Sequence, residues 1–342
     1  MLPISRTLLG MTALLSLLSC RTQEKTYVPT AEDNRTMRKE ADTFLRDMPA
    51  GLQRLQAQAV REAIAGDSRQ LNAVRKSRDT PPDTPVHVNI LTLTPSLRLY
   101  QPAGQQARKL PLLIYLHGGG WTFGSLNSCS RFCNAMAGTG RMKVLAVDYR
   151  LAPEHPFPAG LDDCIATVSY AGANAALLGI DENLISIGGD SSGGNLALAA
   201  ALSPRCKGKI RSLVLFYPVT KAFDDNSPSW RQYGAGYGLD ADIMREFSRA
   251  YLSQTHPADP RISVALCADT TLNRLPPTLL IAAGRDILRD QGEELARRAG
   301  KRITRVEFPE AVHLFITVGG QNKAFDKAVE TASDFIQRQK GR

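Results

Sequence analysis

Gly189-Asp190-Ser191-Ser192-Gly193 places a serine between an apolar, β-branched run at 183–187 and a helix-favouring run at 194–202. A serine on a strand-to-helix turn has the setting of a nucleophile. Flanking glycines permit strained backbone angles and clear space beside the hydroxyl, and the following helix points its N-terminus at any negative charge forming there. A hydroxyl attacks only when a base takes its proton, and the base works best when a third group orients it. Of the five histidines, His87 falls in an opening strand, His155 in a Pro-rich loop, His256 before Pro257, and His117 at the head of a glycine run. His313 remains: it follows the terminal strand in Glu310-Ala311-Val312-His313-Leu314-Phe315, where a loop can swing the imidazole over the strand ends.

The orienting carboxylate should emerge at another strand's carboxyl end, between the serine and the histidine in the chain. Asp286 does so, directly after the strand 278–282 and the turn Ala283-Gly284-Arg285. Asp290, four residues on, competes with it but falls where a helix has begun and suits the helix dipole. Asp190 braces the serine turn. Acyl transfer also needs donors for the oxygen that turns negative. His117-Gly118-Gly119-Gly120-Trp121 follows the strand 110–116, so the amides of Gly118, Gly119 and Gly120 are candidates, together with that of Ser192. A phosphate-cradling loop is excluded, because neither G-x-x-x-x-G-K-[ST] nor G-x-G-x-x-G occurs here.

Strands alternating with helices must hold these residues. Segments 86–93 and 97–100 read as an opening hairpin; 110–116, 143–147, 184–187, 212–216, 278–282 and 304–308 read as buried strands, with helical stretches between most of them. That alternation specifies an α/β domain with a mostly parallel sheet covered on both faces. The interval 221–260 has no strand candidate and carries Trp230, Tyr233, Tyr237, Phe247 and Tyr251, so it reads as a helical insertion beside the sheet. Upstream, Met37, Ala41, Phe44, Leu45 and Met48, then Leu52, Leu55, Ala59, Ala63 and Ile64, recur at helical spacing. The Pro-rich stretch 80–85 ends this 31–85 segment, and the main domain runs from 86 to 342.

Arg6, an apolar run at 8–18 and Ser19-Cys20 open the chain, a stretch too short to span a bilayer and shaped like a secretory signal over 1–19. Leu17-Leu18-Ser19-Cys20 resembles the lipobox of bacterial lipoproteins, which implies lipidation of Cys20, export to a cell envelope, and a polar tether at 20–30. Cys129, Cys133, Cys164, Cys206 and Cys267 are odd in number and lack paired C-x-x-C spacing, so they are expected as buried thiols. Cys129 and Cys133 lie one helical turn apart, close enough in sequence to pair in an oxidising compartment. The net charge of +9 favours anionic surfaces. Nucleic acid is excluded as a partner: the basic residues are scattered and form no recognition motif.

His117-Gly118-Gly119-Gly120-Trp121, the block 148–159 (DYRLAPEHPFPA), Gly189-Asp190-Ser191-Ser192-Gly193-Gly194-Asn195, Tyr217-Pro218, and Asp286 with His313 together resemble the hormone-sensitive-lipase group of α/β-hydrolase esterases, from about Val86 to the C-terminus. The resemblance implies Ser191 as nucleophile, His313 as base and acid, Asp286 as its orienter, and the amides of Gly119, Gly120 and Ser192 as an oxyanion hole. It also implies a cap built from the N-terminal helices and the 221–260 insertion. Two positions depart from the pattern: Ser192 stands where alanine is usual, and Leu314 where glycine is usual. The expected activity is hydrolysis of short- to medium-chain carboxylic esters through an acyl-enzyme, with no metal or organic cofactor. Removal of acetyl groups from a carbohydrate such as acetylated xylan is the alternative, and a non-catalytic binding protein would require a damaged triad.

Overall fold

The computed structural model describes residues 27–81, 87–105 and 108–341; the expected signal segment, Cys20 and most of the Pro-rich boundary lie outside them. Three helices come first: α1 (Ala31–Asp47), α2 (Leu52–Ile64) and α3 (Arg69–Arg78). The spacing of apolar residues anticipates α1 and α2. It does not anticipate α3, which buries only Leu71, packs a half-buried Val74 on the same core and is otherwise mostly charged or polar.

Eight strands form one sheet: β1 (Val88–Thr94), β2 (Leu97–Pro102), β3 (Leu110–Leu116), β4 (Lys143–Val147), β5 (Ile180–Asp190), β6 (Ser212–Phe216), β7 (Thr278–Arg285) and β8 (Ile303–Val312). Their spatial order is β1-β2-β4-β3-β5-β6-β7-β8. The pairs β1/β2 and β2/β4 are antiparallel, and every other neighbouring pair is parallel. Alternation of side chains explains the continuous apolar runs. Leu112, Ile114, Leu145, Val147, Leu213 and Leu215 enter one core, while Leu113, Tyr115, Val144, Ala146, Val214 and Phe216 enter the other.

Nine further α-helices follow among the described residues, several of them covering those two faces. They are α4 (Ser130–Gly138), α5 (Ala159–Ala173), α6 (Ala175–Leu178), α7 (Ser192–Leu202), α8 (Pro228–Tyr233), α9 (Ala241–Leu252), α10 (Asp269–Leu272), α11 (Arg289–Ala299) and α12 (Asn322–Arg338). Helices α5 and α7 supply the first core with Leu161, Ile165, Val168 and Leu196. Helices α4 and α12 supply the second with Phe132, Met136, Phe325 and Phe335. All five described cysteines are buried free thiols.

Three strands run past their apolar stretches. β5 extends back through polar Asp181, Glu182 and Asn183 and forward through Gly188 and Gly189, where a β-carbon on Gly188 would stand 2.3 Å from the Val214 carbonyl oxygen. Glycine is required there by the neighbouring strand, not by any strand propensity. β7 and β8 likewise continue to Arg285 and Val312, whose residues pair with each other. His87 lies just outside β1 and is exposed, so it is not a strand residue.

The N-terminal helices sit against the same end of the sheet as the insertion. α1 joins β8 and β7 through Arg38 to Glu310 (2.8 Å) and Asp42 to Arg285 (2.6 Å). α2 packs on α9 of the 221–260 insertion, with Arg61 on Glu246 at 3.0 Å and the Gln53 amide donating to the Gly238 carbonyl at 3.0 Å.

Candidate active site

The turn from β5 into α7 places Ser191 at φ 53° and ψ −117°, a region that ordinary L-residues avoid at about 1–3 kcal/mol. Fixed hydrogen bonds hold that conformation. The Ser191 N–H donates to the Phe216 carbonyl (2.9 Å), and its own carbonyl accepts from Val219 (3.1 Å) and Asn195 (3.1 Å). Glycine is obligatory beside it: β-carbons on Gly189 and Gly193 would stand 2.4 and 2.0 Å from the Leu116 carbonyl oxygen.

His313, in the loop after β8, brings Nε2 within 3.1 Å of Ser191 Oγ, and its Nδ1 lies 2.7 Å from Asp286 Oδ2 at the end of β7. The other Asp286 oxygen accepts the Leu288 N–H at 3.0 Å. An ionised carboxylate only accepts hydrogen bonds, so the proton sits on Nδ1 and the free lone pair of Nε2 faces the serine hydroxyl. All three side chains are buried. Asp290 is elsewhere: in α11 it accepts from the Ser229 N–H (2.7 Å) and the Arg289 Nε (2.8 Å).

Asp190 ties the serine turn to the glycine loop. Its Oδ1 accepts from the Tyr115 hydroxyl (2.7 Å) and the Gly118 N–H (3.0 Å). Burial pushes the Asp190 carboxyl up, with the Tyr115 hydrogen bond opposing. A β-carbon on Gly118 would stand 2.2 Å from Asp190 Oδ2. This removes Gly118 from the expected oxyanion donors, because its amide is engaged by a carboxylate. Gly119 (φ +116°) and Gly120 (φ +61°) keep their N–H groups free of loop hydrogen bonds, and Ser192, as the first residue of α7, has no intrahelical acceptor. The Phe247 ring covers Gly120 so closely that a β-carbon would come within 2.1 Å of it.

Two supports of His313 leave no signature in the sequence. Buried Gln321 accepts the Val312 N–H on Oε1 (3.0 Å) and donates from Nε2 to the His313 carbonyl (3.1 Å), which fixes the loop backbone. A lone glutamine in a Gly-Gly-Gln-Asn turn carries no chemical signal. The Tyr217 ring lies 4.4 Å from the imidazole, and its hydroxyl accepts the Ile316 N–H at 3.1 Å. Leu314, next to the histidine, sits at φ +73°.

The other histidines lie apart. His155 and His256 are exposed, and His117 is buried against Tyr149 at 4.3 Å, with Nδ1 2.9 Å from the Gly118 carbonyl. Above Ser191 is a cleft of about 30 Å³ lined by Gln53, Arg78, Gly120, Ile243, Phe247 and Leu314. Arg78 and Leu314 also wall two larger cavities, of about 290 Å³ and about 510 Å³. Of the insertion's aromatics, Phe247 alone lines this cleft. Tyr251 stacks on Trp121 at 4.5 Å, and Tyr233 packs on Tyr237 at 4.9 Å.

Residues 113–317 match the model of a family described as having the α/β hydrolase fold. Among curated proteins, a carboxylesterase of Mycobacterium tuberculosis, NlhH, is 36% identical over 214 residues, covering 60% of this chain and 67% of its own. An ethyl acetate hydrolase of Pseudomonas putida is 34% identical over 252 residues, covering 71% of this chain and 78% of its own. Among solved structures, an α/β hydrolase enzyme from the metagenome of Lake Arreo superposes with a TM-score of 0.70 at 30% identity, covering 91% of this chain and 98% of its own.

Proposed function

The chain belongs to the α/β-hydrolase fold family and is a carboxylic-ester hydrolase, and on that premise we propose that Ser191, His313 and Asp286 carry its chemistry through an acyl-enzyme. The observation that carries this reading is the continuous hydrogen-bond chain from Ser191 Oγ through both imidazole nitrogens to Asp286. His313 takes the hydroxyl proton as Ser191 attacks the ester carbonyl, and Asp286 stabilises the imidazolium that results. The carbonyl oxygen, now negative, accepts from the Gly119, Gly120 and Ser192 amides; loss of one such donor typically raises the barrier by about 3 kcal/mol. His313 then returns the proton to the departing alcohol, and water, activated by the same imidazole, clears the acyl group.

The narrow space over Ser191, which shares Leu314 as a wall with the larger cavities, favours short to medium acyl groups. Turnover of a soluble aryl ester tests the assignment. Ser191→Ala should lower kcat by at least a factor of about 10³, and equal turnover by variant and wild type would overturn it.

Cys20 lies outside the described residues; we propose that it carries a lipid anchor holding the enzyme at a bacterial cell envelope, facing the periplasm or the exterior. Support comes from the apolar run at 8–18 and the Leu17-Leu18-Ser19-Cys20 pattern. Cys20→Ala should move the protein out of the membrane fraction, and unchanged fractionation would refute the anchor.

A further inference from the structure

Two arginines on one face of α3, a turn apart, are treated in opposite ways by the fold. Arg75 is fully engaged: its guanidinium donates to the carbonyls of Thr122 (2.9 Å) and Ala152 (2.9 Å) and to both Glu154 oxygens (2.8 Å each). These bonds pin α3 both to Thr122, just past the glycine run, and to the loop between β4 and α5. Arg78, three residues on, makes no hydrogen bond or ion pair among the described residues; its contact is with the Phe123 ring, 5.4 Å from the guanidinium carbon.

That unpaired cation lines the cleft over Ser191 and both adjoining cavities. The residues that line the cleft and the 290 Å³ cavity with it carry no formal charge, Gly119, Phe123, Leu314 and Val318 among them, and the larger cavity adds one carboxylate, Asp47, which makes no ion pair with Arg78. Burial lowers the Arg78 pKa from its ordinary value, and the charge of Asp190 opposes this from a distance: Asp190 gives one oxygen to Tyr115 and Gly118, keeps the other buried without a partner, and makes no hydrogen bond or ion pair to Arg78. A partly buried guanidinium with five donors and no acceptor is a costly arrangement unless something else supplies the acceptor.

We propose that Arg78 is the recognition group for an anionic substituent of the substrate, so that the preferred esters carry a carboxylate a few atoms from the scissile bond. This rests on the ester-hydrolase reading and narrows its substrate class. Arg78 is a specificity residue and takes no part in the proton relay. Arg75 fixes the helix that carries Arg78, and a planar guanidinium fork suits bidentate contact with a carboxylate. The chain's net charge of +9 would draw such substrates toward the cleft.

The test compares ester pairs that differ only in a terminal carboxylate. Mono(4-nitrophenyl) succinate against 4-nitrophenyl butyrate places the anion on the acyl side, and 3-acetoxypropanoate against propyl acetate places it on the alcohol side. In the full chain, kcat/KM should favour the anionic member of at least one pair. Arg78→Gln should reduce that preference by about 10- to 100-fold, with the loss in KM. Arg78→Lys should keep part of it. The inference is overturned if the wild type favours the neutral member of both pairs, if Arg78→Gln leaves both ratios unchanged, or if kcat for anionic and neutral esters falls in parallel. Failure of the hydrolase reading looks different, since Ser191→Ala would then match wild type on the neutral esters. Titration of monomethyl succinate into full-chain Ser191→Ala keeps Arg78 testable by binding alone: adding Arg78→Gln should weaken it at least about tenfold, and equal affinity would overturn the inference.

Discussion

Leu314 holds a left-handed conformation, φ +73°, where glycine would rest without strain, and it walls the cleft over Ser191 and both larger cavities. Comparing Leu314→Ala with Leu314→Gly separates these two properties, since each removes nearly the whole side chain and only glycine relieves the backbone. An alanine there keeps a penalty of about 1–2 kcal/mol. A glycine avoids it but adds about 0.5–1 kcal/mol of unfolded-state entropy. The Gly variant should therefore be the more stable by about 0.5–1 kcal/mol, the reverse of the usual order of these residues. Urea unfolding of both variants at pH 7 measures the difference, which corresponds to about 1 °C in Tm. Both should shift the acyl optimum toward longer chains to the same extent, because the wall is lost in each. Equal or greater stability of the Ala variant would refute the strain argument, and an unmoved acyl optimum would refute the role of Leu314 as a wall.

Gln321→Met keeps the bulk but leaves the Val312 N–H and the His313 carbonyl without their buried partner; stability should drop by about 1–3 kcal/mol and kcat by about tenfold or more with little change in KM. A stability loss without a kcat loss would make Gln321 purely structural. At the start of α1, Lys323 at 2.8 Å, with the Thr30 N–H and the Tyr27 and Thr30 hydroxyls, holds the Asp33 carboxyl well below the usual carboxylate range. The stability this contributes is present above about pH 4, the ordinary carboxylate value, and is lost as pH falls toward Asp33's own depressed value. Asp33→Asn should accordingly lower Tm at pH 7, and the gap should narrow by pH 3; a gap independent of pH would sink the assignment.

The parts of the site legible in the sequence are those where local chemistry and local structure coincide. Ser191 lies between an apolar run and a helix-favouring run, and Asp286 and His313 each follow a strand whose residues are apolar enough to be recognised. Gly118 was legible as part of a loop but not in its role. Its amide is oriented by a carboxylate 72 positions away, and no spacing rule reaches that far. Gln321 and Arg78 were invisible for a related reason: both are ordinary polar residues whose importance comes from what the fold sets against them. The helix α3 escaped because its single buried residue, Leu71, gives no periodicity. Apolar runs stop short of the strand ends where glycine or charge takes over, as at Gly188 and Arg285.

The hydrogen-bonded groups of the site come from distant parts of the chain: Ser191 and His313 are 122 residues apart, and Gly118 and Asp190 are 72. Such contacts are slow to form, because long loops must close before any of them is rewarded. Helices α5 and α7 can assemble from local sequence, whereas the His313 loop is in place only after β8 has docked on β7. On refolding from denaturant, ester turnover is therefore a clock for the last step, and it should return later than the helical circular-dichroism signal.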